Sequence, residues 1–145
     1  MYKRQPLNTP EGEFTVHKTG NELLLNAGNY ERYNKTIRVI LGLDMELIAE
    51  IFHTTRPLLE AAFAEMGYSS RQMDGIILQS IEQILSTPII ARTIALSQES
   101  VLYQFADPDL ENLSPIQKQL LRTGPENTQK LQQQALELRD ALLNP

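Results

Sequence analysis

The most constraining feature of the chain is a corner between two helices near its C-terminal end. Ser114 is followed three positions later by Gln117, and this pair has the pattern of a capping box at a helix start. Pro115 suits the first helical position, where no backbone N–H is needed. Gly124 suits the left-handed residue that ends a helix, and Pro125 prevents continuation while starting the next helix. The sequence therefore predicts two helices, one on each side of Gly124, that meet at a sharp angle.

Prolines also limit how the rest of the chain can be arranged. A proline inside a helix removes one backbone hydrogen bond and crowds the carbonyl four residues before it. We therefore expect helices that cross at corners rather than a regular up-down bundle, with a kink or split near Pro57. Asp107-Pro108-Asp109 predicts a turn followed by a helix start. The prolines that interrupt the chain are Pro57, Pro88, Pro115 and Pro125.

Apolar residues at helical spacing predict about five helices. Phe14-Thr15-Val16 and Glu22-Leu23-Leu24-Leu25 flank a Gly-Asn turn, which predicts a β-hairpin. The fold class is therefore mainly α, with a compact non-regular bundle and a small N-terminal β-hairpin. Residues 88–100 fit either helix or extended chain, and residues 97–105 fit extended chain. The predicted helical ranges are 27–43, 44–67, 69–87, 115–123 and 125–143. In the last of these helices, Gln132, Gln133 and Gln134 are predicted to form a solvated face.

The N-terminal residues are predicted to lie outside the folded domain. Residues 1–13 are polar and contain proline and glycine, so they indicate a disordered lead-in, and residues 14–145 indicate one helical domain. Met1-Tyr2-Lys3-Arg4-Gln5 resembles a translated sequencing adapter more than an ordinary polar N-terminus. Under this hypothesis the true start of the gene, and a membrane anchor, lie upstream.

Composition excludes several classes of function. The net charge of −5 disfavours nucleic acid and direct membrane contact as partners, because both surfaces are anionic. The absence of cysteine removes disulfides, thiol catalysis and thiolate metal sites. No apolar run in the sequence approaches the roughly 20 residues of a membrane-spanning helix.

Two patterns suggest metal binding, and neither is complete. Glu50 and His53 form the Glu-x-x-His of carboxylate-bridged di-metal bundles, but those sites need a second such motif, and the other histidine is His17 in the hairpin. Asp107, Asp109 and Glu111 alternate as in part of a calcium loop, which lacks the required glycine and distant glutamate. We therefore expect no metal, no other cofactor and no catalytic residue.

Several segments carry a resemblance to a known family. The segments are Tyr30-Glu31-Arg32-Tyr33, Arg56-Pro57-Leu58, Met66-Gly67-Tyr68, Leu85-Ser86-Thr87-Pro88 and the run 101–127. Over about residues 14–142 the chain resembles the bacterial DUF3014 family, whose function is not defined. The resemblance implies an envelope protein with a membrane-spanning segment ahead of this domain. The expected location is the periplasmic face of the inner membrane, with the cytoplasm as the alternative.

The polar and aromatic positions within that resemblance are the candidate binding or structural residues. They could tie the hairpin, the first helix and the corner together, with Arg122 and Glu126 paired across it. Alternatively, they could form a recognition groove, since Tyr and Arg are favoured anchors of interfaces. We expect a non-enzymatic interaction or scaffold domain with an unknown protein partner. The alternative is a small-ligand or enzymatic domain that uses a Tyr/Arg/acid-lined pocket. The candidate residues are Tyr30, Arg32, Tyr33, Arg56, Tyr103, Asp107, Arg122 and Glu126.

Overall fold

A computed structural model describes residues 10–145. This part of the chain is mostly helical, at 60% helix and 10% strand, which confirms the predicted fold class. The prediction of about five helices is wrong, because the described residues form seven helices. In chain order the elements are β1 Val16–Thr19, β2 Glu22–Leu25, α1 Gly28–Glu31, α2 Asn34–Leu41, α3 Met45–Glu65, α4 Ser70–Leu85, β3 Ala95–Ser97, β4 Gln104–Phe105, α5 Pro108–Glu111, α6 Pro115–Thr123 and α7 Pro125–Leu143.

The predicted N-terminal hairpin is present and is part of a larger sheet. β1 and β2 pair antiparallel from Val16↔Leu25 to Thr19↔Glu22. β3 and β4 continue the sheet in the order β1-β2-β3-β4, and all the pairs are antiparallel. The added strands are only three and two residues long, so they carry no alternation that a sequence pattern could reveal. β3 pairs with the second edge of β2, which would otherwise be open, and β4 pairs with β3.

The predicted helix over residues 27–43 is two helices. The break lies at Arg32 and Tyr33, whose N–H groups donate to carbonyls three residues back rather than four. A cause lies in the buried side chain of Asn29, which accepts from the Thr15 N–H at 2.8 Å and donates to the Thr15 carbonyl at 2.6 Å. These bonds hold α1 to the residues before β1, while α2 packs on α7.

Pro57 does not split its helix. α3 runs from Met45 to Glu65 with the proline inside it. Arg56, directly before the proline, braces the following turn of the helix, because its Nε donates to Glu60 at 2.8 Å. Its Nη2 donates to Asp74 of α4, also at 2.8 Å, so a second helix holds the same turn. We infer that these contacts keep the helix continuous.

The predicted capping box of Ser114 with Gln117 is confirmed, and two further helix starts are capped by side chains. Asp44 accepts from the third residue of its helix, and the capping boxes of Ser69 with Gln72 and of Ser114 with Gln117 are both complete. These side chains satisfy N–H groups that a helix start leaves without intrahelical partners. Because the Ser114 capping box involves residues close in sequence, the pattern alone was sufficient to predict it.

The glutamine run of α7 was predicted to be a solvated face, and this prediction is wrong. Nε2 of Gln132 donates to the carbonyls of Ile84 and Leu85, and at 2.8 Å to Thr87, at the C-terminal end of α4. Gln134 is buried, and its Nε2 donates to the carbonyl of Ile40 in α2 at 2.7 Å. Two of the three glutamines therefore satisfy carbonyls that helix ends leave free.

The corner between α6 and α7 is built on Gly124. Its φ of 90° is positive, as predicted, but its ψ of 163° lies outside the left-handed helical region, in a region that only glycine occupies readily. A Cβ at this position would lie 2.6 Å from Cγ of Tyr30. Thr128, which is 1% exposed, lies with Oγ1 2.7 Å from the Gly124 carbonyl and 2.9 Å from that of Leu120. The corner is therefore fixed by backbone conformation, by ring packing and by a buried hydroxyl.

The main apolar core lies between the sheet and the helices that follow it, with Tyr30 packed at its border. The buried members of this core are Leu25, Ile94, Leu96, Phe105, Leu110 and Leu121. α7 packs against α2, α3, α4 and α6 and so joins the sheet-side core to the two long helices. Of the predicted lead-in, residues 1–9, including the adapter-like segment, lie outside the described residues. Glu11 accepts from Arg32 and Lys35 through its carbonyl and its carboxylate respectively.

We predict that Gly124→Ala destabilises the protein far more than Gly67→Ala. Both glycines have positive φ, 90° and 87°, but the space around Gly67 is open, whereas Tyr30 fills the space at Gly124. The expected loss of unfolding free energy is about 1 kcal/mol for Gly67→Ala, from backbone strain alone. It is about 3 kcal/mol or more for Gly124→Ala, because overpacking adds to the strain.

Urea denaturation at equilibrium measures both losses, and Pro125→Ala should cost less than Gly124→Ala. Equal losses at the two glycines would show that the Tyr30 contact does not constrain the corner.

Candidate functional site

The eight candidate residues do not form one site. Six of them fall into four separate environments: a patch with Arg32 and Tyr103, a groove with Tyr30 and Glu126, an ion-pair cluster at Arg56, and a helix cap at Asp107. Tyr33 stands at the N-cap position of α2 and makes no side-chain capping bond. Arg122 is exposed, and its Nη1 donates to Gln119 at 3.2 Å. The candidates must therefore be assessed one environment at a time.

An aromatic patch brings Arg32 and Tyr103 together through Phe14, a residue that the sequence did not single out. The rings of Phe14 and Tyr103 have centroids 5.5 Å apart. The guanidinium carbon of Arg32 lies 6.0 Å from the centre of the Phe14 ring, and its Nε donates to the Glu11 carbonyl at 3.1 Å. Such cation–π contacts contribute about 0.5–1 kcal/mol at exposed sites. The arginine is therefore held over a ring that is itself 43% exposed.

The loop before β4 adds exposed aliphatic side chains next to this patch. Val101 is 89% exposed and Leu102 is 73% exposed, directly before Tyr103. Single exposed apolar residues are ordinary, but neighbouring ones beside an aromatic pair are typical of interaction surfaces. We name Phe14, Arg32, Val101, Leu102 and Tyr103 the aromatic patch.

A groove of about 540 Å³ follows the corner and contains Tyr30 and Glu126. Burial raises the pKa of the Tyr30 hydroxyl. The expected pair of Glu126 with Arg122 is not formed. Instead, Oε1 of Glu126 lies 2.7 Å from Nζ of Lys130, one helical turn along α7. The hydrogen bond from Lys130 lowers the pKa of Glu126. Arg38 also lines the groove, which therefore mixes acidic and basic groups.

Arg56 and Asp107 have structural partners. Arg56 is shared between Glu60 and Asp74, and its hydrogen bond lowers the pKa of Asp74. Asp107 caps α5 by accepting from the N–H of Asp109 at 2.9 Å, and its other oxygen lies 3.2 Å from Nη2 of Arg92. The prediction of a turn and helix start at this position is therefore confirmed.

Glu111 was considered only as part of an incomplete calcium loop, and it ties β4 to α6. Its Oε2 accepts from the Phe105 N–H at 2.9 Å, and its Oε1 from Nζ of Lys118 at 3.0 Å. These two bonds, with the Phe105 bond the larger cause, lower the pKa of its carboxyl group. The sequence signal for the ion pair was the presence of opposite charges seven residues apart. Glu111 ends α5 and Lys118 lies near the start of α6, so the pair joins the two helices.

A larger cleft, of about 1010 Å³, lies between the start of α3 and the end of α7. His53 lines it, and Nε2 of this histidine is buried without a hydrogen-bond partner among residues 10–145. Five carboxylates line the same cleft: Asp44, Glu46, Glu50, Glu137 and Asp140. We name it the acidic cleft. Within residues 10–145, no three His, Asp or Glu side chains converge closely enough to hold a metal ion.

We predict that the contribution of Glu111 to stability depends on pH. Its pKa is lowered in the folded protein, so the contribution is present above the ordinary carboxyl pKa of about 4.3 and is lost as the pH falls through the lowered value. Glu111→Gln should therefore cost about 1 kcal/mol at pH 7 and progressively less in acid.

Thermal melts from pH 7 downward measure this difference. Glu126→Gln is the control, because that carboxylate also has a lowered pKa but is highly exposed, so it should change the melting temperature little. A Glu111→Gln deficit that is as large at low pH as at neutral pH would contradict the assignment.

Comparisons with known proteins identify a family and no individual relative. Neither the curated proteins nor the solved structures include a match to this chain. Within the described residues, no helix is both long enough and apolar enough to cross a membrane. Residues 1–139 match the family described as "Protein of unknown function (DUF3014)". Because this match covers nearly all 145 residues, the chain belongs to the DUF3014 family, as the resemblance implied.

Proposed function

We propose that this domain is a non-enzymatic interaction module that binds a protein partner through the aromatic patch. The observation that carries the proposal is the exposed run of Val101 and Leu102 beside the packed rings of Phe14 and Tyr103. Leaving such side chains in water forgoes about 25 cal/mol for each Å² of apolar surface, and a partner would recover that energy. The patch is therefore suited to binding apolar side chains.

Arg32 gives the patch a polar component. Its guanidinium lies over Phe14 and uses Nε for the Glu11 carbonyl, and the Nη groups make no hydrogen bond to any described residue, so they could reach a partner's carbonyl or carboxylate. Tyrosine and arginine are over-represented among the residues that dominate binding energy at interfaces. An apolar segment with an acceptor near its edge is the partner that this surface would fit best.

The alternative, a small-ligand or enzymatic site, would use the groove at Tyr30 and Glu126. Enzymatic acids are commonly buried and have pKa values shifted toward neutrality. Glu126 is instead 82% exposed at its side chain, is paired with Lys130 and has a lowered pKa. The groove therefore supports this alternative less well than the exposed patch supports partner binding.

We also propose that the domain belongs to a bacterial envelope protein and faces the periplasm. The support is the resemblance of residues 14–142 to a family of envelope proteins. Fractionation of host cells that express the intact gene, followed by protease treatment of spheroplasts, tests the location. Protection of the domain from protease until the inner membrane is broken would place it in the cytoplasm instead.

We predict that a photo-cross-linking amino acid at Leu102 captures a specific partner in host cells, whereas the same group at Val39 does not. The two positions are similarly exposed, at 73% and 67%, but Val39 lies on α2, outside the aromatic patch. Immunoblots for a shifted band, followed by mass spectrometry, measure the capture.

The band from Leu102 should be weakened by Tyr103→Ala, with the circular dichroism melt of that variant as the folding control. Identical bands from both positions, or no band from Leu102, would contradict the assignment of the aromatic patch as the binding surface.

A further inference from the structure

The acidic cleft has two charged walls and an apolar floor. Glu46 and Glu50 stand one helical turn apart on α3, and Glu137 and Asp140 stand three residues apart on α7. Between these rows, the floor is made by Met45 and Ala49, which are buried, and the half-exposed side chain of Leu43 closes one end. The cleft therefore offers apolar contact along its centre and negative charge along both sides.

None of the residues that line the cleft, all within the described part of the chain, is lysine or arginine. Arg139 stands beside the cleft, with its guanidinium 3.9 Å from Glu82 and 3.7 Å from Asp140. Among the described residues, the other carboxylates of the cleft form no ion pair with a basic side chain. The carboxylates therefore raise the local concentration of cations.

A smaller apolar pocket of about 150 Å³ adjoins the acidic cleft, and His53 lines both. The aliphatic side chains of Leu78, Leu142 and Leu143 line this pocket together with the ring of Phe52. Nε2 of His53, which lines both cavities, is buried and has no hydrogen-bond partner in the part of the chain that the structure describes. Buried polar atoms without partners are rare in folded proteins, so this atom indicates a missing hydrogen-bonding group at the junction.

We infer that the acidic cleft and this pocket together bind a cationic amphipathic segment of a partner protein. Lysine or arginine side chains of the segment would reach the carboxylates on both walls, and one large apolar side chain would enter the pocket next to His53. Nucleic acids and anionic membranes are repelled by the same carboxylates. A second copy of this chain carries the same charge of −5 and the same acidic rows, so it is not complementary either. The aromatic patch shares no residue with this surface.

The test uses a fluorescein-labelled synthetic peptide of lysine and leucine at helical spacing, titrated with the full chain by fluorescence anisotropy. A lysine–serine peptide of equal charge and a glutamate–leucine peptide are the comparison probes. We expect the lysine–leucine peptide to bind, the other two to bind at least about tenfold more weakly, and the affinity to fall as salt is raised.

The variant Glu50→Gln/Glu137→Gln/Asp140→Asn should weaken binding of the lysine–leucine peptide by at least about tenfold. The matched control Glu13→Gln/Glu22→Gln/Glu99→Gln removes the same charge from exposed acids outside the cleft and should change the affinity less than about twofold. Leu143→Ser in the pocket should also weaken binding, whereas Leu58→Ser on the exposed part of α3 should not.

The inference is overturned by equal losses in the two triple variants, by equal affinity for the lysine–serine peptide, or by no binding to the wild-type chain. Cross-linking from Leu102 is measured in the same cleft variant. If the cleft variant loses peptide binding but its cross-linking from Leu102 is unchanged, the two surfaces act independently. The failure of one proposal can then be distinguished from the failure of the other.

Discussion

The contact between the Tyr30 ring and Gly124 is the constraint on which the rest of the structure depends. Gly124 ends α6 and begins α7 in a conformation that only glycine adopts readily, and the ring fills the space where any side chain would stand. Tyr30 belongs to α1, which Asn29 holds to Thr15 beside the sheet. The direction of α7 is therefore set from the sheet side of the domain.

The direction of α7 determines which other helix ends its side chains can reach with hydrogen bonds. Through Gln134 it reaches the end of α2, and through Gln132 it reaches the end of α4. Free carbonyls at helix ends need partners when they are removed from water, and here α7 supplies them with side-chain amides. The same helix forms one wall of the acidic cleft, so the corner at Gly124 also positions the surface proposed to bind a cationic segment.

Local chemistry was predictable from the sequence. The capping box at Ser114, the positive φ at Gly124 and the hairpin at Gly20 each depend on residues within a few positions of one another. Contacts between distant parts of the chain were not predictable. The break between α1 and α2, the pairing of β3 with β2 and the burial of Gln134 all follow from partners that no sequence spacing reveals.

The same distinction holds for the candidate site. The residues that match the family pattern were expected to act together. Instead, Arg56 forms ion pairs with Glu60 and Asp74, and Asp107 caps α5 and pairs with Arg92. Phe14 lies in contact with both Arg32 and Tyr103, and the sequence pattern identified Phe14 only as part of a hairpin strand. Several polar residues of the pattern thus support the fold, and the exposed apolar ones form the surface proposed to bind a partner.

A double-mutant cycle between Tyr30 and Gly124 tests the central claim most directly. Tyr30→Ala removes Cγ and Cδ2, the two atoms nearest to where the new Cβ of Gly124→Ala would lie. If the ring constrains the corner, Gly124→Ala should cost at least about 1 kcal/mol less in the Tyr30→Ala background than in the wild type. Costs that add without coupling would contradict the claim that this contact sets the path of α7.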